Sequence, residues 1–214
     1  MSPARPVTGV ILAGGRASRY GGEAKGLRRV GGERIIDRVR AALEVACDDL
    51  LLIANDASSS DWLPGVRREG DVLPDLGSLG GIHAALSHAG TPVLVVAWDM
   101  PFVPAALLHA LRSAGENGDA DVVVPESDSR RGMEPLCAWY APACLPAIER
   151  ALERDDRRVV GFFGDVRVTR LDAGTVRRLG DPAFLFLNVN APDDLALAEA
   201  HATTADGHGD RPQE

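Results

Sequence analysis

The chain has 214 residues, of which 45% are hydrophobic and 25% are charged, and its formal net charge is −8. This composition is typical of a globular protein, and the length fits one domain. The basic residues are scattered, which argues against a surface for polymeric DNA or RNA. The N-terminus lacks an apolar signal region and no run has the length of a membrane span, so we expect a cytoplasmic protein without membrane contact.

Strand-like and helix-like patterns alternate along the chain, which predicts an α/β fold with a mainly parallel sheet. The predicted strands cover residues 7–12, 50–54, 65–68, 93–97, 120–124, 135–140, 166–171 and 184–187. The predicted helices cover residues 34–46, 59–62, 79–89, 104–114, 143–154, 159–163 and 193–201. We expect one domain over residues 1–202, with strand 93–97 at its centre, and a disordered polar tail over 203–214.

A glycine-rich and basic segment follows the first predicted strand. It contains Gly14, Gly15, Arg19 and Lys25 within twelve positions. Backbone N–H groups in a tight turn bind anions, and the two basic side chains would add positive charge beside a triphosphate. The segment has neither the Walker frame nor the Gly-x-Gly-x-x-Gly pattern. From the residues alone, a phosphate site and a plain strand-to-loop turn both remain open.

Asp99 directly follows the most apolar predicted strand. In open α/β sheets, ligands bind in the crevice outside the carboxyl ends of the strands. A carboxylate there can hold Mg²⁺, which usually takes one or two carboxylates together with phosphate oxygens. The alternative is an N-cap for the next helix, but Asp99 lies too far upstream of Pro104 for that position. We therefore favour a metal ligand.

Two further segments carry candidate site residues. Asp71 precedes a glycine-rich helix start that includes Gly80, where close backbone contact with a ligand is feasible, although a plain helix N-terminus has the same appearance. Asn188 and Asn190 alternate before the last helix, so both amides could face one cleft and bind metal or phosphate. Capping of the last helix is an equally good interpretation of Asn190.

The run from Leu12 to Lys25, with its double glycine and its Gly-Gly-x-x-Lys ending, resembles the signature loop of the molybdenum cofactor guanylyltransferases. The similarity spans roughly residues 7–200, and the other matching segments are Asp71 with the glycine-rich stretch to Ile82, Asp99-Met100-Pro101, Arg131 to Leu136, and Asn188 to Leu195. Two positions depart from the family pattern: Ala24 replaces an aspartate, and Ser78 replaces a proline.

This resemblance implies a Rossmann-like, three-layer nucleotidyltransferase fold of the GT-A-like kind. It implies an Mg²⁺-dependent enzyme that transfers GMP from GTP to the phosphate of molybdopterin, and transient contact with proteins that mature molybdoenzymes. The implied catalytic residues are Arg19, Lys25 and Asp99, with Asp99 as the metal ligand. The implied nucleotide contacts are Leu12, Ala13, Gly14, Gly15, Lys25, Asp71, Gly80 and Asp99. The implied acceptor contacts are Glu134, Pro135, Asn188 and Asn190.

Guanine is favoured over cytosine because cytidylyl relatives resemble Leu-Ala-Ala-Gly at the position of Gly14, and the missing methyl group leaves room for a larger base. Two alternatives stay open. One is a related nucleotidyltransferase that uses CTP or another acceptor, such as a sugar phosphate. The other is a non-catalytic nucleotide-binding module.

Overall fold

The computed structural model describes residues 6–13, 19–20 and 23–206. The strands, in chain order, are β1 (Thr8–Ala13), β2 (Arg19–Tyr20), β3 (Glu23–Ala24), β4 (Arg29–Val30), β5 (Glu33–Arg34), β6 (Asp49–Ala54), β7 (Arg67–Glu69), β8 (Val93–Ala97), β9 (Val122–Pro125), β10 (Cys137–Tyr140) and β11 (Val168–Leu171). The α-helices are α1 (Ile35–Ala46), α2 (Gly77–Ala89), α3 (Ala105–Asn117), α4 (Leu145–Glu153), α5 (Ala173–Leu179), α6 (Pro182–Leu185) and α7 (Pro192–Asp206). Short 3-10 helices cover Lys25–Leu27, Ala57–Asp61, Pro142–Cys144 and Phe163–Asp165.

Seven strands form the main sheet in the order β11-β9-β10-β8-β1-β6-β7, and β10 alone among them is antiparallel to its neighbours. The chain builds β1, β6 and β7 outward in one direction and then places β8 on the other side of β1. The strand order therefore reverses at the junction of β1 and β8, where Leu12 lies opposite Ala97. Such a reversal opens a crevice at the carboxyl edge of the sheet.

The sheet is covered on both faces. Ile11 and Leu94 pack in the core beneath α1 and α3, whereas Val10 and Val95 pack in the core beneath α2 and α4. Because successive strand residues point to opposite faces, two apolar layers require strands that are apolar at every position, as β8 is. The predicted α/β fold with a mainly parallel sheet is confirmed, and β8 is its central strand.

The sequence prediction was wrong near the C-terminus. The expected strand at 184–187 is helix α6 followed by irregular chain, and helix α5 was not predicted. Side-chain caps explain both helices: Asp172 accepts a hydrogen bond from the Thr175 amide, and Asp181 accepts one from the Ala183 amide. These caps satisfy amides that a helix start leaves free, and they outweigh a short apolar run.

Helix α7 continues to Asp206, so the expected domain boundary at residue 202 falls inside it. The expected tail from 207 onward lies outside the described residues. In the part of the chain that the structure describes, no helix has the length and apolar character needed to cross a bilayer.

Candidate functional site

A cleft of about 440 Å³ opens at the carboxyl edge of the sheet, between the end of β1 and the start of α2. Its described wall residues are Leu12, Ala13, Ile53, Asn55, Asp56, Trp62, Asp71, Asp75, Leu76, Gly77, Ser78, Gly81 and Arg157. Three of the predicted nucleotide contacts, Leu12, Ala13 and Asp71, are therefore part of one cleft. The wall combines apolar side chains with a few polar groups, which is the usual composition of a small-molecule site.

Asp71 is held in place by Asn55, the first residue after β6. The Asn55 amide nitrogen donates to Asp71 Oδ2 over 2.7 Å, and the Asp71 backbone N–H donates to Asn55 Oδ1 over 2.8 Å. The Asn55 side chain thus holds both the carboxylate and the backbone of Asp71 at the edge of the sheet. Both residues line the cleft.

Glycines at the start of α2 bring its backbone close to β1. A Cβ atom at Gly81 would lie 2.4 Å from Leu12 Cδ1, so a larger residue there would displace the Leu12 side chain. Gly77 has φ +62°, a left-handed conformation that glycine adopts without strain. The predicted contact Gly80 is not among the wall residues, because it faces Leu76. A Cβ atom at Gly80 would lie 2.7 Å from the Cβ of Leu76. The close approach is made by its neighbours instead.

A second group of side chains, which we call the polar cluster, consists of Lys25, Asp99, Glu134 and Asn190. Lys25 is the single lysine of the chain and its residue is only 8% exposed. Its ammonium donates to Asn190 Oδ1 over 2.6 Å. A buried lysine needs such partners because an ammonium is costly to remove from water.

The two carboxyl groups of the polar cluster influence one another. Burial raises the pKa of Asp99, while its own backbone N–H and the Lys25 ammonium act in the opposite direction. Burial also raises the pKa of Glu134, with the Leu136 N–H and Arg131 opposing it and Asp99 adding to it. Two desolvated carboxyl groups that repel one another are suited to a cation that lies between or beside them.

The donor set fits a magnesium ion that is completed by substrate. Within the described ranges, no set of three or more His, Cys, Asp and Glu side chains is grouped to bind a metal. Mg²⁺, however, is usually bound through one or two carboxylates together with waters and phosphate oxygens. Asp99 and Glu134 supply two hard oxygen donors of this kind, so the residues present fit the expected ion.

Asp99 does not cap a helix, since the N-cap of α3 is Pro104. Its backbone carbonyl accepts a hydrogen bond from the Val189 amide over 2.9 Å, which joins the end of β8 to the segment between α6 and α7. Asn190 is not the cap of α7 either, because Asp194 Oδ2 accepts from the Asn190 and Ala191 amides. The Asn190 side chain is directed to Lys25 instead.

The two asparagines do not share one orientation as expected. The Asn188 amide donates to the Phe186 carbonyl over 3.0 Å, whereas Asn190 accepts from Lys25. The expectation rested on a strand at this point, and the segment is irregular chain. Pro135, another predicted acceptor contact, is buried and its carbonyl accepts from the Tyr140 hydroxyl over 2.6 Å.

Part of the predicted phosphate loop cannot be placed. Gly14 and Gly15 lie outside the described residues. The backbone of Arg19 pairs with Ala24 in a short hairpin, but its side chain also lies outside the description. Leu12, at one described end of the segment, lines the cleft. Lys25, at the other end, belongs to the polar cluster.

Sequence reasoning missed five wall residues: Ile53, Asn55, Asp56, Trp62 and Arg157. Asn55 carried a usable signal, since it follows an apolar strand as Asp99 does. Arg157 carried none, because it lies in the loop after α4 and reaches the cleft only in the folded chain, where its Nη1 donates to the Asp75 carbonyl over 3.4 Å.

Comparison with known proteins gives one consistent result. The family model described as MobA-like NTP transferase domain matches residues 9–168. A molybdenum cofactor guanylyltransferase from Desulfosudis oleivorans is 37% identical over 91% of this chain and 95% of its own length. A probable molybdenum cofactor guanylyltransferase from Pelotomaculum thermopropionicum is 38% identical over 91% of this chain and 93% of its own length.

A solved structure shares the fold. The molybdopterin-guanine dinucleotide biosynthesis protein A from Archaeoglobus fulgidus is 28% identical, with a TM-score of 0.78, and the match covers 92% of this chain and 99% of that one. The structural similarity therefore covers more than nine-tenths of this chain.

Proposed function

The chain belongs to the family of MobA-like nucleotidyltransferases, and on this premise we propose that it transfers GMP from GTP to the terminal phosphate of molybdopterin, releasing pyrophosphate. The observation that carries this proposal is the polar cluster: a buried lysine, an amide and two carboxyl groups converge beside a cleft at the strand-order reversal. This is the position where α/β sheets bind nucleotides.

The charges of the cleft indicate how GTP would lie. Three carboxylates, Asp56, Asp71 and Asp75, line the cleft against one guanidinium, that of Arg157, so the net charge of its wall disfavours phosphate groups. The base and ribose would occupy the cleft, and the triphosphate would extend along the end of β1 toward Lys25. In this orientation the negative phosphate groups lie near the positive Lys25 side chain and away from the carboxylates of the cleft.

Asp71 supports guanine as the base. An ionised carboxylate only accepts hydrogen bonds, and the Watson–Crick edge of guanine offers two adjacent donors, N1–H and the 2-amino group. The corresponding ring nitrogen of cytosine is an acceptor and would face the carboxylate unfavourably. Because Asn55 holds Asp71 through two hydrogen bonds, the carboxylate is pre-oriented for this contact.

In the proposed reaction, an oxygen of the acceptor phosphate forms a bond to the α-phosphorus of GTP. The bond from that phosphorus to the oxygen bridging to the β-phosphate breaks, and pyrophosphate leaves with the electron pair. Lys25 would neutralise charge on the phosphates, together with Arg19 and the amides of Gly14 and Gly15. The attacking phosphate is already an anion, so the chain needs no strong general base.

Asp99 would hold Mg²⁺, together with Glu134 of the polar cluster. When bound, the ion would supply charge neutralisation at the phosphates. We place the acceptor at the same edge, bordered by Glu134, Pro135, Asn188 and Asn190. Holding both substrates at one edge converts a two-molecule encounter into an oriented reaction.

The test is pyrophosphate release by the purified protein with molybdopterin and Mg²⁺, comparing GTP with CTP. We expect release with GTP that depends on the acceptor. Preference for CTP would indicate a cytidylyl enzyme, and turnover with a sugar phosphate in place of molybdopterin would indicate another acceptor. GTP binding without turnover would indicate a non-catalytic nucleotide-binding module.

We further propose that the protein acts in the cytoplasm, where GTP is available, and passes its product to proteins that mature molybdoenzymes. The match to curated relatives with this activity over nine-tenths of the chain supports both proposals. Co-purification with a molybdoenzyme-maturation protein from cells that express both would test the second.

A further inference from the structure

Two tryptophans connect the cleft to the polar cluster. Trp62 is part of the cleft wall, and its ring stacks on that of Trp98 with centroids 4.9 Å apart and planes inclined by 21°. Trp62 and Trp98 are 4% and 3% exposed. A close-packed pair of rigid rings transmits displacement because neither ring can shift without moving its neighbours.

Trp98, the ring of the stack that is farther from the cleft, contacts the backbone next to Lys25. A Cβ atom at Gly26 would lie 2.5 Å from Trp98 Cε3 and 2.8 Å from Trp98 Cδ2, so the Gly26 backbone lies directly on the indole ring. Gly26 follows Lys25, and Trp98 precedes Asp99. The backbone amide of Trp98 also donates to the Leu12 carbonyl over 3.2 Å, which joins the Trp98 backbone to the end of β1.

We infer that Trp62 is a positioning residue: the Trp62–Trp98 stack couples occupancy of the cleft by a base to the placement of Lys25 and Asp99. This inference rests on the proposed function and extends it. A base in the cleft would press on Trp62, Trp98 would follow, and the Gly26 backbone would carry the displacement to Lys25. Bare triphosphate leaves the cleft empty and would bind without this adjustment.

The third tryptophan of the chain provides a matched control. Trp139 is 4% exposed and belongs to the same apolar layer, but it packs on Gly115 of α3 and is not among the wall residues of the cleft. Its buried Nε1 has no hydrogen-bond partner within the described structure. Replacement by phenylalanine removes an unpaired donor, so Trp139→Phe should fold and retain wild-type activity.

The single lysine makes the test direct. Protein labelled with [¹⁵N]lysine gives one backbone amide peak, that of Lys25. We would record this peak with saturating GTP and with saturating inorganic tripolyphosphate, both with Mg²⁺, in the full chain. Tripolyphosphate offers three linked phosphate groups but neither ribose nor base, so a separation between the two bound positions reports how a nucleoside in the cleft affects Lys25.

In the wild type and in Trp139→Phe, we expect two distinct bound positions. In Trp62→Met they should coincide, and kcat should fall about tenfold or more, because small misplacement of reacting groups is costly. Trp62→Phe keeps an aromatic ring and should restore both the separation and most of kcat. If Trp62→Met does not fold by thermal melting, Trp98→Met interrupts the same stack and should give the same result.

The outcomes distinguish this inference from the proposed function. If GTP leaves the Lys25 peak of the wild type at its unliganded position, the proposed function fails. If GTP binds but its peak coincides with that of tripolyphosphate in the wild type, only the coupling is wrong. A separation that persists in Trp62→Met, or an unchanged kcat in that variant, would also overturn the coupling while leaving guanylyl transfer in place.

Discussion

The Lys25 ammonium lies 2.6 Å from the Asn190 amide oxygen, although the two residues are 165 positions apart in the chain. The contact joins the loop after the first strand to the segment before the last helix. The partner oxygen of Asn190 is neutral. The contact therefore orients the Lys25 ammonium, and Asn190 does not neutralise its positive charge. A carboxylate at position 190 would neutralise that charge and weaken its attraction for phosphate.

Lys25→Met should lower kcat about 10²- to 10³-fold, because removal of one preorganised donor at developing charge has that effect in other enzymes. Lys25→Arg should not restore activity, since the planar guanidinium differs in shape from the buried ammonium. The measurement is pyrophosphate release at saturating GTP. Unimpaired turnover in Lys25→Met, with melting temperature unchanged, would remove Lys25 from the reaction.

Asn190→Ala should reduce kcat about tenfold, with a smaller change in the KM for GTP, because it leaves Lys25 in place but unoriented. Asn117→Ala is the matched control, since the Asn117 amide bonds only within α3, to Ser113, in the described structure. Equal turnover in the two variants would show that the contact with Lys25 has no catalytic role.

Asp99→Asn should abolish most turnover, and Glu134→Gln should raise the Mg²⁺ concentration needed for half-maximal activity. Both carboxyl groups belong to the polar cluster, and loss of a charged oxygen weakens binding of a hard cation. The measurement is activity against Mg²⁺ concentration. Glu116→Gln, which removes a surface partner of Arg112, should match the wild type. An unchanged Mg²⁺ dependence in Glu134→Gln would exclude it from the metal site.

The sequence predicted most of the sheet because its strands are buried on both faces and apolar at nearly every position, as in β1 and β8. In the folded sheet, Leu12 at the end of β1 lies opposite Ala97 at the end of β8, two positions before Asp99. The proposed roles of these residues stay predictions.

The parts that could not be predicted depend on contacts between distant residues. Nothing in the sequence around Asn190 distinguishes a helix cap from a partner of Lys25, and only the folded chain decides between them. Trp62 and Arg157 reach the cleft from a 3-10 helix end and a loop, where no periodic pattern fixes orientation. Helix α5 escaped prediction because it is short and depends on its Asp172 cap.

The pairing of Asp121 with Arg167 should make the free energy of unfolding depend on pH. The Arg167 side chain holds the pKa of Asp121 below its ordinary value of 3.8, with hydrogen bonds of 3.1 Å from Nε and Nη2. A carboxyl group whose pKa is lowered by folding stabilises the protein above its unfolded-state value, and this contribution is lost as the pH falls through the folded-state value. Asp121→Asn should therefore lower the free energy of unfolding at neutral pH.

Urea unfolding of the wild type and Asp121→Asn at about pH 7 and about pH 3 measures this effect. The difference between the two proteins should shrink as the pH falls below 3.8, because the unfolded chain then takes up a proton at Asp121 while the pKa in the folded chain is lower. Asp165→Asn is a suitable control, since the Asp165 side chain, paired with Arg154, is 38% exposed against 15% for Asp121. A difference that stays constant across this range would show that ionisation of Asp121 is not the cause.

Asp71→Asn should change base selectivity. If the carboxylate accepts from guanine N1–H and the 2-amino group, an amide at position 71 loses one acceptor and gains a donor. Xanthine carries an oxygen where guanine carries the 2-amino group, so it should pair with that donor. We expect kcat/KM to fall about 10- to 100-fold for GTP and to rise for xanthosine triphosphate, as a buried mismatch of polar groups costs about 1–3 kcal/mol.

Asp75→Asn is the matched control for charge. Asp75 also lines the cleft and has φ +62°, a conformation that asparagine tolerates as well as aspartate does. It removes one negative charge from the same cleft, so a general electrostatic effect would appear in both variants. Parallel losses for GTP and xanthosine triphosphate in Asp71→Asn would show that Asp71 contacts the ribose or only holds Asn55, and a switch confined to Asp71→Asn assigns it to the base.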